Sequence, residues 1–349
     1  MATVIAGPSI AVDCIQPDSK IKLNNKKLIF FIYSNLPRVV LLNNYIQLKG
    51  DEVLISCSIW AILLKMIRFF PLFFIILWSS AFITTKPIVN DSSPFAALAL
   101  RFFIVFFGFL IFSIYQKYKI LIFNKNVCET ILSGVLFHGL YLGGVFFSIS
   151  KGVPTGITAL IVTLQPILTN ILAGPLLNEK ITLKQWSGVL LGFLGAILVL
   201  GFDIGSNLPT IGILAAFISL ISVTIATLWQ KKISLNFPLS VSNMYQAIGG
   251  FLFHVTIILF FEKPFIDFTL SFIIAMSHQI FLVSFGAFSI LMFLLNKGSA
   301  SKTVTLFFLV PPTSAIMAWV FLNEHLDNID LLGFALASLG VFIATRKKN

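Results

Sequence analysis

Charge is scarce in this 349-residue chain: Asp, Glu, Lys and Arg together make up 11% of it, against 58% apolar side chains. A soluble globular domain carries about 25% charged residues, so an ordinary water-facing surface cannot be built from this composition. Cysteine is almost missing. Cys14, Cys57 and Cys128 are scattered, without the spacing of metal ligands or of a disulfide framework. No HExxH, CxxC or paired-carboxylate pattern occurs, so no metal and no cofactor is expected. Acidic residues are fewer than basic ones, 13 against 24, and the formal net charge is +11. The basic residues fall in short clusters between apolar runs rather than along one polar face. That pattern is membrane topology, not nucleic-acid binding.

What the chain has in abundance is apolar surface, including 38 Phe. One soluble core cannot hide so many, because a quarter to a third of even a mid-sized domain's surface stays wet. Lipid is the remaining solvent. A bilayer core about 30 Å thick takes about 20 apolar residues of helix. Ten such runs follow residue 69: roughly 69–88, 93–115, 128–149, 155–176, 184–203, 209–229, 240–261, 272–294, 300–322 and 330–345. The runs are continuous rather than alternating with period two, so helices fit them and a barrel does not. The expected fold is all-α, a polytopic bundle of ten transmembrane helices.

Loop charge orients the bundle. With the N-terminal side cytoplasmic, the inner connections and tail hold Lys117, Lys119, Lys125, Lys180, Lys184, Lys231, Lys232, Lys297, Lys302, Arg346, Lys347 and Lys348. The outer connections hold only Lys86, Lys151 and Lys263. This bias places both termini in the cytoplasm. Residues 1–65 are more polar and read as an N-terminal cytoplasmic extension. Lys65 and Arg68 follow the apolar segment 53–64 where a signal peptide would have small residues. An alternative is that the working protein starts at Met66.

An internal repeat divides the rest. Leu177-Asn178-Glu179 recurs as Leu322-Asn323-Glu324, 145 residues on, with Pro166 and Pro311 thirteen residues before each Glu. Gly188 and Gly333, Gly195 and Gly340, and Gly192 and Ala337 follow at matching distances. The chain therefore reads as two five-helix halves, 66–205 and 206–349. An odd number of spans per half inverts the second copy, and inverted repeats place a substrate site near mid-membrane. Gly188-x-x-x-Gly192 and Gly333-x-x-x-Ala337 fit close helix contact within the chain, or a homodimer seam.

Two five-helix halves, each with a proline-centred helix ending in Leu-Asn-Glu before a glycine-spaced helix, resemble the drug/metabolite transporter superfamily, EamA type. Leu77-Trp78-Ser79-Ser80-Ala81-Phe82 with Lys86 in the first span, and Leu98-Ala99-Leu100-Arg101-Phe102 in the second, match as well. The resemblance spans residues 69–345 and names no substrate. It implies a carrier of small metabolites or drugs working by alternating access, with a Lys in span one and an Arg in span two as common features.

Polar groups inside spans are the candidate site. Arg101 lies about 12 Å into its span at 1.5 Å per residue, too deep for easy snorkelling, so it faces a cavity or a partner in the bundle. Lys86, nearer the outer end, can snorkel. His138 and Tyr141 share a helix face, and Gln165 lies beside Pro166 halfway through span four. Each can contact substrate or bond a neighbouring helix. Trp78 offers apolar or cation–π contact at mid-span. His278 and Gln279 rank lower, as they fall nearer the outer surface. Pro166 and Pro311 free the carbonyls of Val162 and Phe307 and are candidate hinges. From residue 66 on, every carboxylate lies at a span end or in a loop. That argues against proton antiport through a buried Glu and leaves facilitated diffusion, exchange or coupling through His138.

The expected partners are a small-molecule substrate and the lipid bilayer, the protein being a monomer or homodimer. Lys-over-Arg and Phe- and Ile-rich usage fits an AT-rich genome and hence a bacterial inner (plasma) membrane. Two rivals are an intramembrane enzyme acting on lipid-linked substrate and a non-transporting partner subunit. The first lacks a clustered nucleophile and base, and the second leaves Arg101 and the broken helices without purpose.

Overall fold

Apolar runs flanked by capping residues become helices in the computed structural model. It describes residues 39–42, 45–48, 54–56, 69–120, 124–153, 155–200, 208–233, 236–322 and 328–345. Helix α1 is Phe70–Asp91, α2 Pro94–Tyr115, α3 Lys125–Ser150, α4 Thr155–Val162, α5 Gln165–Leu177 and α6 Leu183–Leu200. Then come α7 Thr210–Ile233, α8 Leu239–Phe261, α9 Leu270–Lys297, α10 Ala300–Thr305, α11 Val310–Leu322 and α12 Asn328–Thr345. Six of these (α1, α2, α3, α7, α8 and α9) are long and apolar enough to cross a membrane, while α6 and α12 are shorter apolar helices.

Local chemistry sets the helix ends. Pro94 occupies the first turn of α2, where its missing N–H is no loss. The Asn124 side chain accepts from the Asn126 N–H before α3, and Thr269 accepts from the Phe272 N–H before α9. Asn178 ends α5 in the left-handed conformation with φ 54°. Pairs of helix starts recur at one interval: Pro94 and Leu239, Lys125 and Leu270, Thr155 and Ala300, Leu183 and Asn328 all stand 145 residues apart.

Glycine decides one contact. A Cβ on Gly188 would lie 2.6 Å from the Gly340 carbonyl, and one on Gly195 would lie 2.5 Å from the Gly333 carbonyl. The partners run in opposite directions, so α6 and α12 are antiparallel with backbones nearly touching. The contact is reciprocal under the 145-residue interval, since Gly188 matches Gly333 and Gly195 matches Gly340. The small-residue motifs are thus used within the chain.

Runs 155–176 and 300–322 are each interrupted just before the proline that the sequence marks as a break. A turn at Thr163–Leu164 separates α4 from α5, and a 3-10 turn, Leu306–Leu309, separates α10 from α11. Proline cannot donate to the preceding turn, so a new helix starts with Pro166 or Pro311 in its first turn. The centres of α3 and α9 also depart from α-helix, running as π-helix over Val135–Tyr141 and Gln279–Ala287.

Helices from Pro71 onward form one unit, distinct from Met1–Phe70. Large apolar side chains such as Ile111, Ile114, Leu259 and Phe281 stand exposed on it, as lipid contact requires. The N-terminal unit contains an antiparallel three-stranded sheet, β1 Val39–Leu42, β2 Tyr45–Leu48 and β3 Leu54–Ser56, with Val39 opposite Leu48 and Tyr45 opposite Ser56. The extension was not expected to hold strands, although β-branched and aromatic residues around Asn43-Asn44 suit a hairpin. Residues 1–38, Asp203, Asn323, Glu324, Asp327 and the Arg346–Lys348 tail lie outside the described residues.

Candidate functional site

A partly open cavity lies among α1, α2, α3 and α9, about 490 Å³ when the open solvent space at its mouth is counted. Four of the five residues singled out as substrate contacts line it: Trp78, Arg101, His138 and Tyr141. They come from three helices and are all buried. Both π-helical segments border it, His138 and Tyr141 on α3 and Gln279 and Ser284 on α9. Wide turns of this kind frequently mark functional sites.

Arg101 is the only formally charged side chain in the lining. It is 3% exposed. Its Nε donates to the Ser284 hydroxyl at 2.8 Å and its Nη1 to Gln279 Oε1 at 2.6 Å. Gln279 is held in turn, its Nε2 donating to the Ala81 carbonyl at 2.9 Å and to Thr84 Oγ1 at 3.0 Å. The Phe102 ring lies 5.3 Å from the guanidinium carbon, within cation–π range. The cation is thus fixed by neutral groups, and among the described residues no Asp or Glu borders the cavity.

The rest of the wall is aromatic. Trp78 meets Phe137 at 6.1 Å and Phe307 at 5.4 Å, and Tyr141 packs on Phe137 at 5.2 Å. His138 lies 4.4 Å from both Phe102 and Phe288, ring centre to ring centre. His254 Nε2 donates to the His138 carbonyl at 3.0 Å, while the Nδ1 atoms of both rings are buried without a partner among the described residues.

Gln165 lies elsewhere. It is fully buried on α5, does not border the cavity, and donates to Thr227 Oγ1 of α7 at 3.0 Å. Pro166 and Pro311 also lie outside the lining. The Pro311 break nonetheless reaches the cavity wall: Phe307 of the 3-10 turn packs on Trp78, and the Ser79 hydroxyl donates to the Val310 carbonyl at 3.2 Å. Ser314 returns a hydrogen bond to the Ser79 carbonyl at 3.1 Å. The family model for EamA-like transporters matches residues 65–201 and again residues 210–346.

The chain belongs to the EamA-like transporter family.

Relatives agree with this assignment. The uncharacterized transporter YvbV of Bacillus subtilis is 24% identical over 288 residues, covering 79% of this chain and 90% of that protein. A probable amino-acid metabolite efflux pump of Salmonella typhimurium is 23% identical over 296 residues, covering 79% and 93%. A WAT1-related chloroplastic protein of Arabidopsis thaliana is 24% identical over 296 residues, covering 81% and 68%. A solved structure described as "Crystal structure of protein" superposes with TM-score 0.67 at 18% identity, covering 80% of this chain and 96% of that one. It shares the fold. This EamA-like transporter is an integral membrane protein that moves small molecules.

Sequence reasoning ranked Gln279 too low and passed over Ser284. In sequence both are polar residues in an apolar run, and Gln279 falls close to the start of its helix. Nothing local says that α9 turns them onto Arg101. Polar lining therefore comes from both halves. Among the described residues no group of three or more His, Cys, Asp or Glu side chains could hold a metal.

Proposed function

We propose that this EamA-like transporter carries a small organic solute by alternating access through the Trp78–Arg101–His138–Tyr141 cavity. One observation carries the reading: a buried cation and three aromatic or imidazole rings, drawn from three helices, converge on one cavity. Single interhelical hydrogen bonds do not require such convergence.

In this reading the two halves are inverted five-helix repeats making ten crossings. The reciprocal antiparallel contact of α6 with α12 supports inversion, because a direct repeat would set equivalent helices parallel. Breaks before Pro166 and Pro311 are the hinges. The Pro311 break is coupled to the site through Phe307 on Trp78 and Ser79 on Val310. The bacterial relatives and the loop lysines support an inner (plasma) membrane with both termini cytoplasmic. Relatives named as amino-acid metabolite efflux pumps support outward movement of cargo related to amino acids. Described carboxylates stay at helix ends, where Glu262 and Glu179 cap α2 and α10. Carriage therefore does not run through a buried-carboxylate proton couple.

The test is counterflow by the full-length protein in liposomes, using labelled amino acids, organic acids, organic cations and sugars. At least one solute should accumulate, and Trp78→Ala and His138→Ala should slow it about tenfold while eluting as folded protein. Absence of accumulation for every solute would overturn the carrier reading, and fully active variants would remove this cavity from the path. In a background with Cys14, Cys57 and Cys128 changed to Ser, a Lys119→Cys probe should label from the cytoplasmic side only.

A further inference from the structure

We infer that the cavity takes a monocarboxylate with an apolar body, its carboxylate held by the free face of Arg101, and that this substrate needs no ammonium group. The inference rests on the cavity being the substrate site.

The Arg101 guanidinium offers five N–H donors in a planar fork. Nε donates to Ser284 and Nη1 to Gln279, and no other side-chain acceptor meets this fork among the described residues. Donors thus remain, and so does the full positive charge. Phe102 and the two neutral acceptors stabilise a cation without cancelling it. Buried charges in proteins are paired, because an uncompensated one is strongly destabilising. Glu262 and Glu179 are committed at helix starts: Glu262 accepts from the Phe95 and Ala96 N–H groups, and Glu179 from those of Ala300 and Ser301. The missing anion is therefore supplied from outside. A carboxylate matches the fork, accepting two parallel hydrogen bonds from one guanidinium.

Charge also limits the choice. With one cation in the lining, a monoanion leaves the cavity neutral, whereas a dianion would bury a net negative charge. Around the fork the surface is apolar: Trp78, Phe137, Val283 and Phe288 define the space for the substrate body. An amino acid would bring an ammonium as well, and the cavity has no carboxylate to receive it. Aromatic faces and neutral polar groups such as Thr85, His138 and Tyr141 would meet that charge without cancelling it. A 2-oxo acid or arylacetate presents the same body and carboxylate without the unpaired cation, so it should bind better than its amino acid.

Binding is read on the full-length protein in detergent by tryptophan quenching and thermal shift. The probes are phenylacetate, phenylpyruvate, phenylalanine, phenylacetamide and phenethylamine, with 4-methyl-2-oxopentanoate and leucine as a second body. At least one of the two bodies should bind as its free acid about tenfold tighter than as its amino acid, and phenylacetate about tenfold tighter than phenylacetamide or phenethylamine. Arg101→Gln should lose at least about tenfold in acid binding, and Arg101→Lys should retain part of it. Equal or tighter binding of the amide, the amine or both amino acids overturns the inference, as does acid binding that Arg101→Gln leaves intact. So does absence of binding by every acid. The wild-type comparisons stand even if an Arg101 variant does not fold. Counterflow of some other solute class alongside any of these failures would leave the carrier reading in place.

Discussion

Arg101 and Gln279 meet across the two halves of the chain, Nη1 donating to Oε1 at 2.6 Å. Shifted by 145 residues, Gln279 becomes Gly134 and Arg101 becomes Gln246. That second pair is also in contact, since a Cβ on Gly134 would lie 2.1 Å from the Gln246 carbonyl. The packing repeats, but the chemistry does not: one copy carries a cation bonded to an amide and the other backbone against glycine. The buried charge sits at one of two equivalent crossings.

Removing the acceptor tests this contact. Gln279→Leu leaves a buried Arg101 donor unsatisfied, which costs about 1–3 kcal/mol. The detergent-purified variant should unfold at lower temperature than wild type. Gln279→Glu should do the opposite: it supplies the missing anion, holds the fold at or above wild-type stability, and abolishes carriage of organic acids by occupying the charge. Counterflow with a carboxylate cargo would show the loss.

Close helix contact makes a second prediction. A Cβ on Gly195 would lie 2.4 Å from the Ala337 backbone nitrogen, and backbone cannot swing aside. Gly195→Val should reduce folded protein on size exclusion, consistent with overpacking losses of about 1–3 kcal/mol or more. Gly174 is the control. Its added Cβ meets nothing closer than the Glu179 carbonyl at 3.8 Å, so Gly174→Ala should elute like wild type.

Gln165 and Pro311 separate binding from motion. Because Gln165 bonds Thr227 outside the cavity, Gln165→Leu should leave substrate affinity within about twofold of wild type and cost roughly 1 kcal/mol of stability instead. Pro311→Ala should slow turnover more than it weakens binding, since the Val310 carbonyl joins that helix start to Ser79 beside Trp78. Affinity and initial counterflow rate measured on each variant decide the matter.

Glu179 ties α5 to the start of α10. Its carboxylate accepts from the Ala300 N–H at 2.8 Å and the Ser301 hydroxyl at 2.9 Å. Glu179→Ala should lower stability by about 1 kcal/mol, as loss of a helix cap does, and Glu179→Gln should recover part of it. Thermal melts of the three proteins in one detergent are sufficient.

Much of this molecule was legible in its sequence, for reasons that can be named. Apolar runs of bilayer length, the scarcity of charge and the 145-residue recurrence of Pro, Asn-Glu and Gly depend only on order along the chain. Arg101, His138, Tyr141 and Trp78 could be picked out because polar and amphipathic groups are conspicuous inside lipid-length helices. Those properties are local: hydrophobic transfer and backbone satisfaction act on each segment whatever its neighbours are. Tertiary structure decided the rest. It brought Gln279 and Ser284 to Arg101, sent Gln165 to Thr227, and widened α3 and α9 into π-helix at the cavity. Each of these depends on which helices pack together and how they are rotated, and residues nearly two hundred positions apart carry no mark of their meeting.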